Sequence, residues 1–273
     1  MSKIVYYYCK TETFKSLLQS GSLWLTDLTK SNDEEEVIRT FKILWSKVKT
    51  ILQQTDLDKE LLEGQIERID EAMSCQIISD IPFGCCFCDE NDLVQQWNEY
   101  GGYGDGVSIG FDLEWFGIPN DYPITSTDLM QSIGYERVYY DLPGSAEQFA
   151  TIFYEAIKKY GVLAWLKIIL PTLKHYSGFI KNPSFKDERE TRIVFYPGDK
   201  TTGELDGLSE LIEAPKPHYC LAWKRKGSYA LQSIMIGSSC TLSEERIIEL
   251  LRNSGIKEPI PITYSDCSYR ERL

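Results

Sequence analysis

Basic residues are in short supply in this chain, with 29 Lys and Arg against 41 Asp and Glu, a formal net charge of −12. A surface of that sign repels a phosphate backbone, so general nucleic-acid binding is not expected. The densest basic run, Lys224-Arg225-Lys226, is too short for a footprint and reads as a solvated strand end or turn. No window approaches the ~20 apolar residues that a membrane span requires. The opening Met1 to Tyr6 has neither an apolar h-region nor a small-residue cleavage site. A cytoplasmic protein without membrane association is therefore expected, its eight cysteines kept as thiols. Histidine is nearly missing too. His175 and His218 are the whole supply, and neither sits in an elbow context, so nucleophilic catalysis through Ser-His-Asp or Cys-His has few available bases. No phosphate-loop signature occurs, and the glycines from Gly101 to Gly106 precede a strand instead of joining strand to helix, which is not a dinucleotide fingerprint.

Aromatic residues, by contrast, are abundant: 17 Tyr, 11 Phe and 6 Trp, side chains that bury area while keeping polar tips for hydrogen bonds. A chain of 273 residues buries roughly three-quarters of its unfolded surface, so its stability needs neither metal nor disulfide. Strand patterns fall at Ile4–Tyr8, Leu23–Thr26, Phe83–Cys88, Val107–Phe111, Ile133–Tyr140, Phe185–Tyr196, His218–Trp223, Leu231–Ile236 and Ile260–Tyr264. Helices are expected after a Thr11 cap up to Gly21, across about 34–74 with a break near Thr55-Asp56, over Asn91–Tyr100 and over Ala146 to about Leu173. A last one, with a Thr241/Glu244 capping box, ends at Gly255. Helices and strands are segregated, which predicts an α+β fold with mixed, mainly antiparallel sheets and helices packed around them. Without internal repeats or a Pro/Ser-rich linker, residues 1–273 read as one domain carrying a helical insertion at about 34–74.

Chemistry-bearing candidates are few. In a strand from Phe185, alternate side chains share a face, so Glu188, Glu190 and Arg192 project together, with adjacent carboxylates roughly 7 Å apart. Such a strand, polar at one end on both faces, either lines a cleft or frays into solvent with cross-strand ion pairs. Ser31-Asn32-Asp33 with Glu36 reads as a helix cap, though one cap does not need both Asn32 and Asp33. Trp97 and Tyr100, three apart on a short helix, fit a core stripe as well as a site. Cys85 and Cys88 form a C-x-x-C, but a strand turns them to opposite faces. They read as core thiols, and no bound metal is expected.

In order along the chain stand Tyr6-Tyr7-Tyr8, the block Leu17 to Leu25, Asn32-Asp33, Trp97-x-x-Tyr100, Gly106 to Asp112, and Glu188-x-Glu190-x-Arg192. This succession resembles a large bacterial family of unknown function, and the opening block is similar to the first strand and helix of ADP-ribosyltransferase-fold proteins. The resemblance implies a fold of that kind, NAD as cofactor or substrate, and cleavage at the nicotinamide bond, in the manner of a bacterial toxin or anti-phage defence effector. It makes Glu190 the carboxylate that stabilises a cationic ribose and Glu188 the acceptor-side carboxylate. Tyr7, Tyr8, Trp24, Asn32, Asp33, Trp97, Tyr100 and Arg192 become cofactor-binding candidates. Tyr7 stands where that family carries a His, a departure that replaces an imidazole with a neutral phenol. On this reading Tyr7, Trp24, Asn32, Trp97, Tyr100 and Glu190 converge on one cleft. Two alternatives stay open: a non-enzymatic module binding a small ligand or a protein partner, and a metal-dependent nuclease using Asp33, Glu188 and Glu190. Against the nuclease stand the negative charge and the want of a Lys beside those carboxylates.

Overall fold

The computed structural model describes residues 3–30, 36–56, 58–74, 81–118, 132–140, 142–164, 168, 178–197 and 207–268. Among them, β1 (Ile4–Lys10), β2 (Ser22–Asp27), β3 (Phe83–Cys88), β4 (Gly106–Asp112), β5 (Ser132–Arg137), β6 (Glu190–Tyr196), β7 (His218–Ala222), β10 (Leu231–Ile236) and β11 (Ile262–Tyr264) form one sheet. Two short strands, β8 (Lys224–Arg225) and β9 (Ser228–Tyr229), make a separate hairpin, so the basic run at 224–226 is a strand and turn, as the sequence suggests. The helices are α1 (Thr11–Ser20), α2 (Glu36–Leu52), α3 (Lys59–Ser74), α4 (Val94–Glu99), α5 (Leu142–Tyr160) and α6 (Glu244–Asn253). Pairing is antiparallel except between β10 and β11, which gives the expected α+β class with a mainly antiparallel sheet. No helix among the described residues is long and apolar enough to cross a membrane.

Alternation puts Val5, Leu23, Leu25, Cys85, Phe87, Ile109, Phe111, Ile193 and Phe195 on one face, packed against Phe14, Leu17 and Leu18 of α1 and Ile247 and Leu251 of α6. Each large apolar side chain so buried contributes about 1.5–3 kcal/mol. The helical stretch expected at about 34–74 is α2 and α3, broken where expected. Their Trp45, Val48, Leu52, Leu62 and Ile66 build a second core with Phe149, Phe153 and Ile157 of α5.

β3 decides where a cleft can open. β6 pairs with it along its whole length, from Phe83↔Phe195 to Cys88↔Glu190. A strand has two edges, so β1 and β2 must share the other: β1 touches it at Tyr6↔Cys88 and β2 at Thr26↔Gly84 and Asp27↔Phe83. Between those contacts, around Cys85, Cys86 and Phe87, the two strands part from β3 and the sheet splits.

Three sequence expectations are corrected. Lys10, not Thr11, is the cap residue of α1, because β1 stays paired to β4 through Lys10↔Gly106 and runs straight into the helix. α6 is capped by Ser243, whose Oγ accepts from the Arg246 N–H, so the Thr241/Glu244 box does not form. The strand expected from Phe185 begins only at Glu190. Asn182 accepts from the Ser184 N–H, Pro183 fixes the first turn, and residues Pro183–Glu188 wind into a 3-10 helix.

Candidate functional site

Glu188 therefore reaches the site from the end of that 3-10 helix and not from the strand. Arg189 turns the chain between the two, in the left-handed region at φ 48°, a conformation costing a non-glycine residue about 1–2 kcal/mol. Beyond it, Glu190 and Arg192 do share a face of β6, as the alternation requires. Arg192 grips Glu190 in a fork, Nε to Oε1 at 2.5 Å and Nη2 to Oε2 at 3.1 Å, while its Nη1 donates to the Gly178 carbonyl at 3.0 Å. All of this is deep: Glu190 is 5% exposed and Arg192 1%.

The residue that joins the two carboxylates is Lys181. Its Nζ donates to Glu188 Oε2 at 2.5 Å and to Glu190 Oε2 at 3.2 Å, and lies 4.8 Å from the centre of the Phe185 ring. Backbone pairing aims it there. Tyr139 N–H donates to the Phe179 carbonyl and Lys181 N–H to the Tyr139 carbonyl, which holds 179–181 extended. In that extended segment Ile180 turns into the helical core, while Phe179 packs on Val194 and Tyr196 of β6, and Lys181 shares the side of Phe179. Nothing in the sequence near Lys181 announces this. The lysine wanting beside the carboxylates in the sequence is supplied from outside the strand.

Around the cluster stand two phenols and a thiol. Tyr140 OH accepts from the Glu190 N–H at 3.1 Å, and burial pushes its phenol up to about 12. Tyr100, at the end of α4, is half-exposed. Its phenol is pushed up by burial and then by the charge of Glu188. Cys86 is exposed as a residue, while its thiol lies against Glu190. Burial and the adjacent Glu190 hold its thiol well above the ordinary range. Gln96 Nε2 donates to the Glu188 carbonyl at 3.1 Å and ties α4 to the turn. On β5, Glu136 lies opposite Arg192, its Oε2 accepting from Tyr139 OH.

The two carboxyls are shifted in opposite directions. Burial pushes both up. For Glu190 the Arg192 fork, then Lys181, overcomes burial and holds the carboxyl down at about 2. For Glu188 burial wins over Lys181, and its carboxyl lies above the ordinary range.

Of the other candidates, Trp97 is fully buried, edge-on to Tyr8 at 4.9 Å, with Nε1 donating to Asp92 at 2.7 Å. Tyr8 OH in turn accepts from the Leu93 N–H and donates to the Glu90 carbonyl. These two residues back α4 and pack with Cys88, which lies opposite Glu190 on β3. Tyr7 points to the opposite face of the sheet, packed edge-on to Phe87 at 6.0 Å. Trp24 lies on the same face as Cys86, 40% exposed and stacked on His218 at 3.9 Å. Asn32 and Asp33, like His175, lie outside the described residues. The structure thus gathers Tyr100, Glu188, Glu190 and Arg192, turns the Tyr7 ring into the core on the other face of the sheet, and buries Trp97 against Cys88, the strand partner of Glu190. Cys85 and Cys88 do face opposite sides, in separate apolar clusters. The seven described cysteines are free thiols, Cys75 lying outside the described residues. Among the described residues no group of three or more His, Cys, Asp or Glu is arranged to hold a metal ion.

Fold and site together define an α+β protein with a split antiparallel sheet and a buried carboxylate–cation cluster beside the split. Residues 96–193 match the model of a family described as "Protein of unknown function (DUF2971)", a stretch that contains Trp97, Tyr100, Glu188, Glu190 and Arg192. Among solved structures, the chain is similar to the one titled "Thermus sp. 2.9 DarT in complex with NAD+", at 11% identity and a TM-score of 0.33 over 97% of this chain and 96% of that one. So slight a likeness does not bear on the chemistry of the site. No curated protein matches.

Proposed function

We propose that this chain is an ADP-ribosyltransferase-like protein that cleaves NAD at the bond between nicotinamide and ribose. The observation that carries the reading is the pair of buried carboxylates, Glu188 and Glu190, held on one lysine with their protonation pushed in opposite directions. Pairs so divided commonly split the roles of charge stabiliser and proton acceptor. Glu190, ionised and rigid in the Arg192 fork, would face the positive charge that develops on the ribose as nicotinamide departs with the bonding electron pair. Glu188 would take the proton from the incoming water or acceptor hydroxyl, and Tyr100 and Cys86 would line the approach. The identity of the substrate comes from the resemblance of the Glu188-x-Glu190-x-Arg192 block and the opening strand and helix.

One observation favours a second reading, a module that binds a small ligand without turnover: both oxygens of Glu190 already accept hydrogen bonds from Arg192 and Lys181. Lys181 removes one objection to the nuclease reading but raises another, since its ammonium sits between the carboxylates, where a divalent cation would have to lie. Chromatographic measurement of nicotinamide released from NAD by the full chain, alongside calorimetric titration with NAD, separates the readings. Release that disappears in Glu190→Gln supports the enzyme. Binding without release supports the module. Neither binding nor release removes NAD from the account.

A further inference from the structure

We propose that Lys181 is a positioning residue of this site: from outside β6 it holds the Glu188 carboxylate against Glu190 and supplies the cation that keeps Glu188 able to accept a proton. The geometry is asymmetric. Glu190 has two cations, Arg192 and Lys181, whereas among the described residues Glu188 pairs with Lys181, at 2.5 Å. All four groups are buried, and a buried carboxylate without a cation takes up a proton instead of staying charged. The backbone of Lys181 is itself held by the pairing of 179–181 with Tyr139, and its ammonium also lies over the Phe185 ring. The turn at Arg189 brings Glu188 to it, since in an extended strand the two carboxylates would stand roughly 7 Å apart.

The groups that bear on Glu188 are Lys181 from the segment before it, Glu190 and Arg192 from β6, Tyr100 from α4 and Tyr140 beyond β5. Cys86 of β3 faces the same cluster through Glu190. Lys181 and Arg192 are the cations among them, and Arg192 forks onto Glu190 and donates to the Gly178 carbonyl. Burial already pushes Glu188 up against the pull of Lys181. Removing that pull raises it further and leaves Glu190 in the Arg192 fork.

The proposal rests on the enzymatic reading only for its effect on turnover, and its test has a readout that needs none. Side-chain carboxyl carbons of the full chain are titrated by NMR in the wild type, Lys181→Met and Lys181→Arg, with Glu188→Gln and Glu190→Gln assigning the signals. In Lys181→Met the Glu188 midpoint is expected to rise by about one pH unit or more while Glu190 stays low. Lys181→Arg should restore it most of the way. Should Lys181→Met fold poorly, Lys181→Met with Glu188→Gln removes both charges and is expected to melt at a higher temperature than Lys181→Met alone. A Glu188 midpoint unmoved by Lys181→Met, or a double variant that melts lower than the single one, would overturn the proposal. If nicotinamide release is measurable, its acid limb should move up with Glu188 in Lys181→Met at little change in KM. A wild type that releases no nicotinamide defeats the enzymatic reading and leaves the titration as the test of Lys181.

Discussion

Substituting Gln for Glu190 keeps the shape of the side chain and removes a charge that two cations compensate. From its strand position alone such a change is harmless to the fold, but Glu190 is buried between Arg192 and Lys181, so a stability loss is expected together with any loss of activity. Breaking a buried pair typically costs roughly 3–5 kcal/mol. The depression of the carboxyl to about 2 gives a similar figure, on the order of 3 kcal/mol, by linkage. Nicotinamide release, if the enzymatic reading holds, should fall on the order of 10²–10³-fold through loss of one preorganised charge. Urea melts and a release assay on the same preparation check both. The pH dependence follows from the sign of the shift. Because the folded value lies below the unfolded one, the Glu190 contribution is complete above the ordinary glutamate range and is lost as pH falls through that range toward about 2. Melting temperature against pH should therefore drop less steeply below about pH 4.5 in Glu190→Gln than in the wild type. Parallel curves would mean that Glu190 is not held down in the folded state.

At the scale of elements, α4 and the turn after it hold Tyr100 beside the cluster, and two of the contacts that keep them in place can be tested. A Cβ at Gly101 would meet the Trp97 ring at 2.4 Å, so the chain can turn back over that indole only with glycine there. Gly101→Ala is expected to cost about 1–3 kcal/mol by overpacking and to disturb Tyr100, which shows as a changed tyrosine ring signal by NMR. Asp92 is the other contact. Its carboxylate accepts from Trp97 Nε1, Ser265 Oγ and the Asp266 N–H, which clamps the segment after β11 onto the start of α4. Asp92→Ala leaves the buried indole N–H without its acceptor, at about 1–3 kcal/mol. It should also speed hydrogen exchange at Asp266 while the paired amides of β1 and β4 keep their protection. Unchanged exchange at Asp266 would show that the segment is held by something other than Asp92.

Among the described residues the two larger apolar cores lie between the sheet and α1 and α6, and among α2, α3 and α5. Segment 179–181 links the helical core to the site, with Ile180 in that core and Lys181 in the carboxylate cluster, so loosening the helices should reach the site. Phe153→Ala removes a fully buried ring from the helical core, and a loss of about 3–5 kcal/mol is expected. Hydrogen exchange should rise in α2, α3 and α5 before β1, β4 and β10. Equal loss of protection everywhere would mean that the two cores unfold as one unit.

Local patterns determined much of this protein. Alternation placed Phe83–Cys88 and Leu231–Ile236 to the residue, spacing and breakers located α2 and α3, and the period of two put Glu190 beside Arg192 and Cys85 opposite Cys88. These are short-range consequences of backbone geometry, and the sequence contains them. Tertiary structure alone decided the rest. The left-handed turn at Arg189 rests on the Asn182–Pro183 cap and on pairing with Asp89, so Glu188 arrives from a helix end. Tyr7 faces the main core because β1 is registered against β4. Lys181 joins the carboxylates because Tyr139, far away in sequence, holds its backbone. A lysine carries no local sign of which carboxylate will neutralise it. That is set by long-range packing, which brings distant segments within the few ångströms over which charges in a low-dielectric interior act strongly.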